Sequence, residues 1–256
     1  FTWSYGWTFA SYALTIQGAD SKEATTEWLE GSQTSTPFAL TSPTPPVDRL
    51  DTAWRYLALG FTHILPLGFD HILFLLALLL PAVLWRENGR WRPAMALRTV
   101  LLETAGIVTA FTLAHSLTLS LAVLGVVNLP SRLVETVIAF TIVLAALNNL
   151  FPLVTTRRWL LAFGLGLIHG FGFASVLWEL GLPRDALALA LASFNLGVEA
   201  GQLTIVAMVL PLAFALRQTW LYRRLALPVG SAAVALLALI WCLERGLNIN
   251  VFSNPT

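Results

Sequence analysis

The sequence predicts an all-α polytopic membrane protein of about six transmembrane helices, with a small N-terminal extracytoplasmic β segment. Two observations carry the helical part. Hydrophobic residues make up 57% of the chain, charged residues 11%, and the mean hydropathy is +0.73, whereas a soluble domain carries about a quarter charged residues. Six apolar runs then follow one another, each with the ~20 residues that cross a ~30 Å hydrocarbon core. The third observation is the period-two pattern at the start of the chain, which carries the β part. Net charge is +1 and there is no basic stripe, so nucleic acid is not an expected partner. Cys242 is the only cysteine, which rules out an intrachain disulfide and a cysteine-built zinc site.

The elements follow in order. Phe1, Trp3, Tyr5, Trp7 and Phe9 alternate with Thr2, Ser4, Gly6 and Thr8, the signature of a strand. The phase shifts near Ala10–Ser11, and Tyr12, Leu14 and Ile16 continue it as a bulge or a second strand. A lone hairpin is unstable in water, so these strands are expected to complete a sheet lying upstream or on a protein partner. Phe1–Gln17 lacks the basic region and cleavage site of a signal peptide, and the chain does not begin with Met; the N-terminus is read as processed or missing. Ser32–Val47 is a Pro/Ser/Thr-rich linker. Residues 1–47 are thus read as β segment plus linker, and residues 48–256 as the transmembrane bundle. Asp51–Phe61 reads as a short interfacial helix, with Trp54 and Tyr56 at headgroup level. Spans are expected at Pro66–Trp85, Thr99–Val126, Ser131–Phe151, Arg158–Leu180, Asp185–Leu216 and Leu225–Leu243.

Arginine placement orients these spans. Arg86, Arg90, Arg92, Arg98, Arg157, Arg158, Arg217, Arg223 and Arg224 fall in alternate loops, against Arg132, Arg184 and Arg245 on the other side. The richer set belongs in the cytoplasm, which puts both termini outside.

All four histidines, His63, His71, His115 and His169, lie in or at the edge of apolar runs. So do Asp70, Glu135, Asn195, Glu199 and Gln202. Such groups are costly in hydrocarbon and usually face a bundle interior, where they pair, bind an ion or relay protons. In His63-Ile-Leu-Pro-Leu-Gly-Phe-Asp70-His71, Pro66 and Gly68 break the helix and let His63 fold back towards Asp70 and His71. Asp70 then reads as a ligand, as the acceptor that orients an imidazole, or as a helix N-cap. His115 shares a helical face with Thr112 and Ser116. Gly166 and Gly170 form a small-xxx-small pattern around His169, which draws another helix close. Asn195, Glu199 and Gln202 fall on one helical stripe. For His115 and His169 the alternative is a packing histidine; for Glu199 it is a protonated carboxyl or an interhelical clamp; for Glu135 it is exposure to headgroups. Taken together, His63, Asp70, His71, His115, His169 and Glu199 form a candidate metal-ligand set, with Glu135, Asn195 and Gln202 as supporting polar groups. Imidazoles and carboxylates without thiolates suit a divalent Ni, Co, Zn or Cu ion.

The stretches HILPLGFDHILFLLALLL, FTLAHSLTLSLA, VETVIAF, GLIHGFGFASVL and FNLGVEAGQL occur in the order that resembles the HupE/UreJ family of hydrogenase and urease accessory membrane proteins. The resemblance runs from about Gly60 to Gln202, and more loosely to the end. It implies a nickel permease-like activity, for nickel, cobalt or another divalent metal, in a bacterial inner membrane. On it, His63, Asp70 and His71 match the family's first His/Asp-His motif and His169 the first His of its later HG motif. Six residues separate His63 from Asp70, one more than in the best-described nickel members, and Phe171-Gly-Phe-Ala stands where a second His of the later motif would be. The expected function is a metal permease or metal-delivery protein, surrounded by membrane lipids and not an enzyme. The alternatives are a non-transporting metal-binding subunit of a larger complex and, ranked last for want of HExxH or a nucleophile motif, an intramembrane metal-dependent hydrolase.

Overall fold

The computed structural model describes residues 11–17, 24–30, 48–65, 68–87, 89–174, 177 and 186–249. Two strands come first, β1 (Ser11–Gln17) and β2 (Ala24–Glu30), paired antiparallel with Leu14 opposite Glu27. The Phe1–Phe9 alternation lies outside the described residues. The hairpin meets the helical part through Trp28, whose ring stands edge-on to Tyr56 at 6.3 Å.

The first helix, α1 (Arg49–Ile64), starts because Asp48 accepts from the amides of Leu50 and Asp51, at 2.9 and 3.4 Å, satisfying donors that a helix start leaves unpaired. It was expected at the membrane surface, and Trp54 is indeed 70% exposed. Thr52, Tyr56, Gly60 and Ile64, however, are buried. The reason is a backbone-to-backbone seam with α6 (Leu187–Leu216). A Cβ on Gly60 would overlap the carbonyl of Phe194, and one on Gly197 the carbonyl of Leu57. The contacts step the same way along both helices, Leu57 with Gly197 and Ile64 with Gly201, so α1 and α6 run parallel. Gly197 and Gly201 form a second small-xxx-small pattern.

After Leu65 the chain bends by 64° into α2 (Phe69–Leu79). The apolar run of the first expected span continues to Trp85, but the helix does not. Beyond Pro81 the chain enters a hairpin of β3 (Leu84–Glu87) and β4 (Arg90–Pro93). Gly89 carries the positive φ of 76° that such a tight turn requires. Then come α3 (Leu97–Val123), α4 (Ser131–Leu150), α5 (Arg158–His169), α6, a π turn at Tyr222–Ala226, and α7 (Leu227–Leu247).

Among the described residues, four helices are long and apolar enough to cross a membrane: α3, α4, α6 and Tyr222–Leu247. The bent pair α1 and α2, counted as one broken span, makes a fifth. The short apolar α5 takes the place of the remaining expected span and ends at His169, and most of residues 175–185 lie outside the description. Leucines such as Leu113, Leu117, Leu196 and Leu236 stay exposed on the long helices, as lipid-facing positions do. The protein is an integral membrane protein.

Three pairings organise the bundle: α1 on α6, α3 between α5 and α6, and α4 on α7, with α2 against α4, α6 and α7. Asn149 of α4 clamps two of its neighbours, donating to the Ala77 carbonyl at 2.8 Å and the Ser231 hydroxyl at 3.1 Å. Loops rich in arginine meet at one end, where Arg158 donates to the Pro81 carbonyl (3.3 Å) and Arg217 to the Ala94 carbonyl (2.7 Å). Arg132, Arg245, Asp70 and Glu135 come together towards the opposite end.

Candidate metal centre

Four helices each bring one imidazole to a common place in the bundle. His63 lies in the last turn of α1, His71 in the first turn of α2, His115 in α3 about 12 Å before its end at a 1.5 Å rise per residue, and His169 ends α5. The bend between α1 and α2 folds His63 back onto His71, with ring centres 4.8 Å apart. Gly68 permits that approach, since a Cβ there would overlap the His63 carbonyl. The small-xxx-small pair on α5 does the same for α3. A Cβ on Gly166 would meet the Phe111 carbonyl, and one on Gly170 would overlap the His115 carbonyl and the Thr118 hydroxyl. His71 is the hub, 5.9 Å from His115 and 5.4 Å from His169 between ring centres.

Three of these imidazoles are buried, His71 at 7%, His115 at 0% and His169 at 1% exposure; His63 is half-buried. One ring nitrogen from each of His63, His71 and His115 lies within 4.8 Å of the others. Metal–nitrogen bonds of about 2.1 Å place neighbouring ligand nitrogens about 3 Å apart, so modest ring rotations close the trio on one ion. Phe74, Phe111, Phe173 and Phe194 wall the cluster. Phe173 lies 4.1 Å from His63 and stacks on Phe194 at 5.0 Å, while Phe111 lies 5.2 Å from His169.

The hydrogen bonding around the cluster is asymmetric. Among the described residues, the buried side-chain nitrogens and oxygens without a partner are His63 Nε2, His71 Nε2, His115 Nε2 and His169 Nδ1. Buried polar atoms are almost always paired, so one unpaired nitrogen on every histidine is a pattern rather than an accident. For two of the rings, neighbours choose which nitrogen it is. Asn195 donates Nδ2 to the Leu191 carbonyl at 2.8 Å, which turns its Oδ1 to His115 Nδ1 at 3.3 Å. The proton of His115 therefore sits on Nδ1 and the lone pair on Nε2. Thr141 donates to the Ile138 carbonyl at 2.6 Å, so its oxygen accepts from His169 Nε2 at 3.0 Å. The lone pair of His169 is left on Nδ1. Outer hydrogen bonds of this kind fix the tautomer and aim of metal-binding histidines.

The remaining expected residues stand apart from this trio. Asp70 faces Arg245, 3.0 Å from its Oδ2. Glu199 accepts from the Thr109 hydroxyl at 2.8 Å and Gln202 from the Thr112 hydroxyl at 3.0 Å. With His115–Asn195, these bonds form a polar ladder between α3 and α6. Glu135 is about half-exposed, with its carboxylate 4.0 Å from Arg245. Thr141 and the phenylalanine wall were not singled out from sequence. A hydroxyl inside the apolar stretch 137–147 of α4 was the one weak signal for Thr141.

Residues 44–245 match the model of a protein family described as HupE / UreJ protein. The chain belongs to the HupE/UreJ family. That match spans every histidine-bearing helix and leaves the β1–β2 hairpin outside. No curated protein and no solved structure matches the chain. The HupE/UreJ family is associated with nickel or cobalt transport or accessory function, and a buried cluster of imidazoles is chemistry suited to such an ion.

Proposed function

We propose that this HupE/UreJ protein is a permease or delivery protein for a divalent transition-metal ion of the nickel type, which it binds at His63, His71, His115 and His169. The observation that carries the reading is the set of unpaired, buried imidazole nitrogens contributed by four separate helices. Neutral nitrogens suit Ni²⁺, Co²⁺, Zn²⁺ or Cu²⁺, and the lack of a thiolate near them disfavours Cu(I). Asp70, the chain neighbour of His71, and Glu199, one turn beyond Asn195, carry negative charge on the helices that present the cluster, and Asn195, Gln202 and Glu135 order those helices. The arginine distribution supports an inner-membrane protein whose arginine-rich loops face the cytoplasm and whose N-terminal strands lie outside, where a protein partner can pair with them.

The test is reconstitution. Purified protein in liposomes, with a metal-sensitive dye inside, is offered Ni²⁺, Co²⁺ and Zn²⁺, and bound metal is measured by elemental analysis. Wild type should bind and pass at least one ion, and His115→Ala should lose both. Binding without flux moves the reading to a metal-holding subunit of a larger complex. Wild-type protein that binds none of the ions ends the proposal.

A further inference from the structure

The same guanidinium that holds Asp70 also reaches Glu135. Nη2 of Arg245 lies 3.0 Å from Asp70 Oδ2 and 3.2 Å from Oδ1. Nη1 donates to the Glu135 carbonyl at 3.3 Å, and Nε lies 4.0 Å from the Glu135 carboxylate. One cation on α7 thus serves carboxylates on α2 and α4. Arg132, the other cation nearby, is engaged elsewhere, donating to the carbonyls of Arg245 at 2.9 Å and Gly246 at 2.5 Å.

Asp70 is the sequence neighbour of His71, so its Cα lies about 3.8 Å from that of the hub histidine. It is the carboxylate nearest in sequence to the cluster, and its negative charge is already matched by a protein cation. A divalent ion among neutral imidazoles carries its full charge into a low-dielectric place and gains most from an anionic ligand beside them. The Asp70–Arg245 pair is about a quarter exposed on both sides, and partly exposed ion pairs are held weakly. The pair is therefore breakable, and what breaks it is a stronger cation.

Resting on the proposed metal site, we infer that Arg245 is a tethered competitor for the metal: it holds Asp70 away from the histidine cluster until an arriving divalent ion takes the carboxylate from it. Loading then exchanges one cation for another on Asp70 and leaves Arg245 with Glu135. The device sets a threshold, because only an ion that outcompetes a guanidinium acquires the carboxylate. Arg245 is thereby a residue that tunes affinity without touching the metal.

The experiment is calorimetric titration of the full chain in detergent with Ni²⁺ and Zn²⁺. Arg245→Gln should bind tighter than wild type, on the order of tenfold, the scale of changes made just outside a metal's ligands. In an Asp70→Asn background the same substitution should shift affinity by less than about threefold, since the carboxylate it frees is gone. Arg245→Lys keeps the charge and should stay near wild type. An Arg245→Gln protein that melts like wild type but binds equally or more weakly overturns the inference, as does an equal gain in the Asp70→Asn background. Should Arg245→Gln fail to fold, wild type decides: adding Zn²⁺ must shift infrared carboxylate bands that are missing from Asp70→Asn, and no such shift overturns the inference. Wild-type protein that binds no metal fails the proposed function itself, a distinct result.

Discussion

Replacing Asn195 by alanine leaves every imidazole in place and removes only the group that sets the tautomer of His115. The carboxamide oxygen sits 3.3 Å from His115 Nδ1 and is held there by the 2.8 Å bond to the Leu191 carbonyl. Without it, a buried N–H has no acceptor, a loss of about 1–3 kcal/mol. The ring can relieve this by moving its proton to Nε2, the nitrogen needed for the ion. Metal binding must then reverse that move. Outer partners of ligating histidines are worth about 10–100-fold in affinity, or about 1.4–2.8 kcal/mol, in line with the cost of the unpaired donor. Calorimetric titration with Ni²⁺ or Zn²⁺ should show this drop in Asn195→Ala, while Asn195→Asp, which keeps an acceptor, should bind within a few-fold of wild type or tighter. An Asn195→Ala protein whose affinity matches wild type within about twofold, alongside a His115→Ala protein that has lost the metal, would refute the tautomer argument.

Two further outcomes concern the bundle. Gly197→Val drives a side chain into the Leu57 carbonyl, and because backbone lies on both sides of the seam it should destabilise the protein by about 1–3 kcal/mol and weaken metal binding through displaced His63; an unchanged thermal melt would show that the seam tolerates a side chain. Reporter fusions at Gly89 and Asn128 should lie on opposite sides of the membrane, Gly89 in the cytoplasm; both on one side would contradict the orientation.

Much of the cluster was legible because polarity stands out in an apolar chain. A histidine inside a 20-residue hydrophobic run has few reasons to be there, and small residues beside it mark a helix contact; Gly166 and Gly170 do meet α3. The stripe of Asn195, Glu199 and Gln202 faces α3 for the same reason. What stayed hidden depends on distance in sequence or on neutral residue types. Threonine is unremarkable in a membrane helix, so Thr141 was only a weak sign of a group that orients His169 from another helix. Asp70 finds Arg245 across 175 residues, a pairing that spacing does not encode. The depth of α1 turned on Gly197 and Gly201, a glycine spacing overlooked beside the more conspicuous Glu199. The β3–β4 hairpin was signalled by Asn88-Gly89, but a continuous apolar run to Trp85 reads as helix when period alone is weighed.

Because the imidazoles come from α1, α2, α3 and α5, the cluster exists only once those helices are all in the membrane and packed. A ribosome adds about 5–20 residues per second, so several seconds pass between synthesis of His63 and of His169. During that interval the growing chain holds one imidazole, then two, then the His63, His71 and His115 trio without His169. The asparagine that aims His115 is made later still. On the proposed metal site, the order of synthesis delays the complete and aimed cluster until most of the chain has been made.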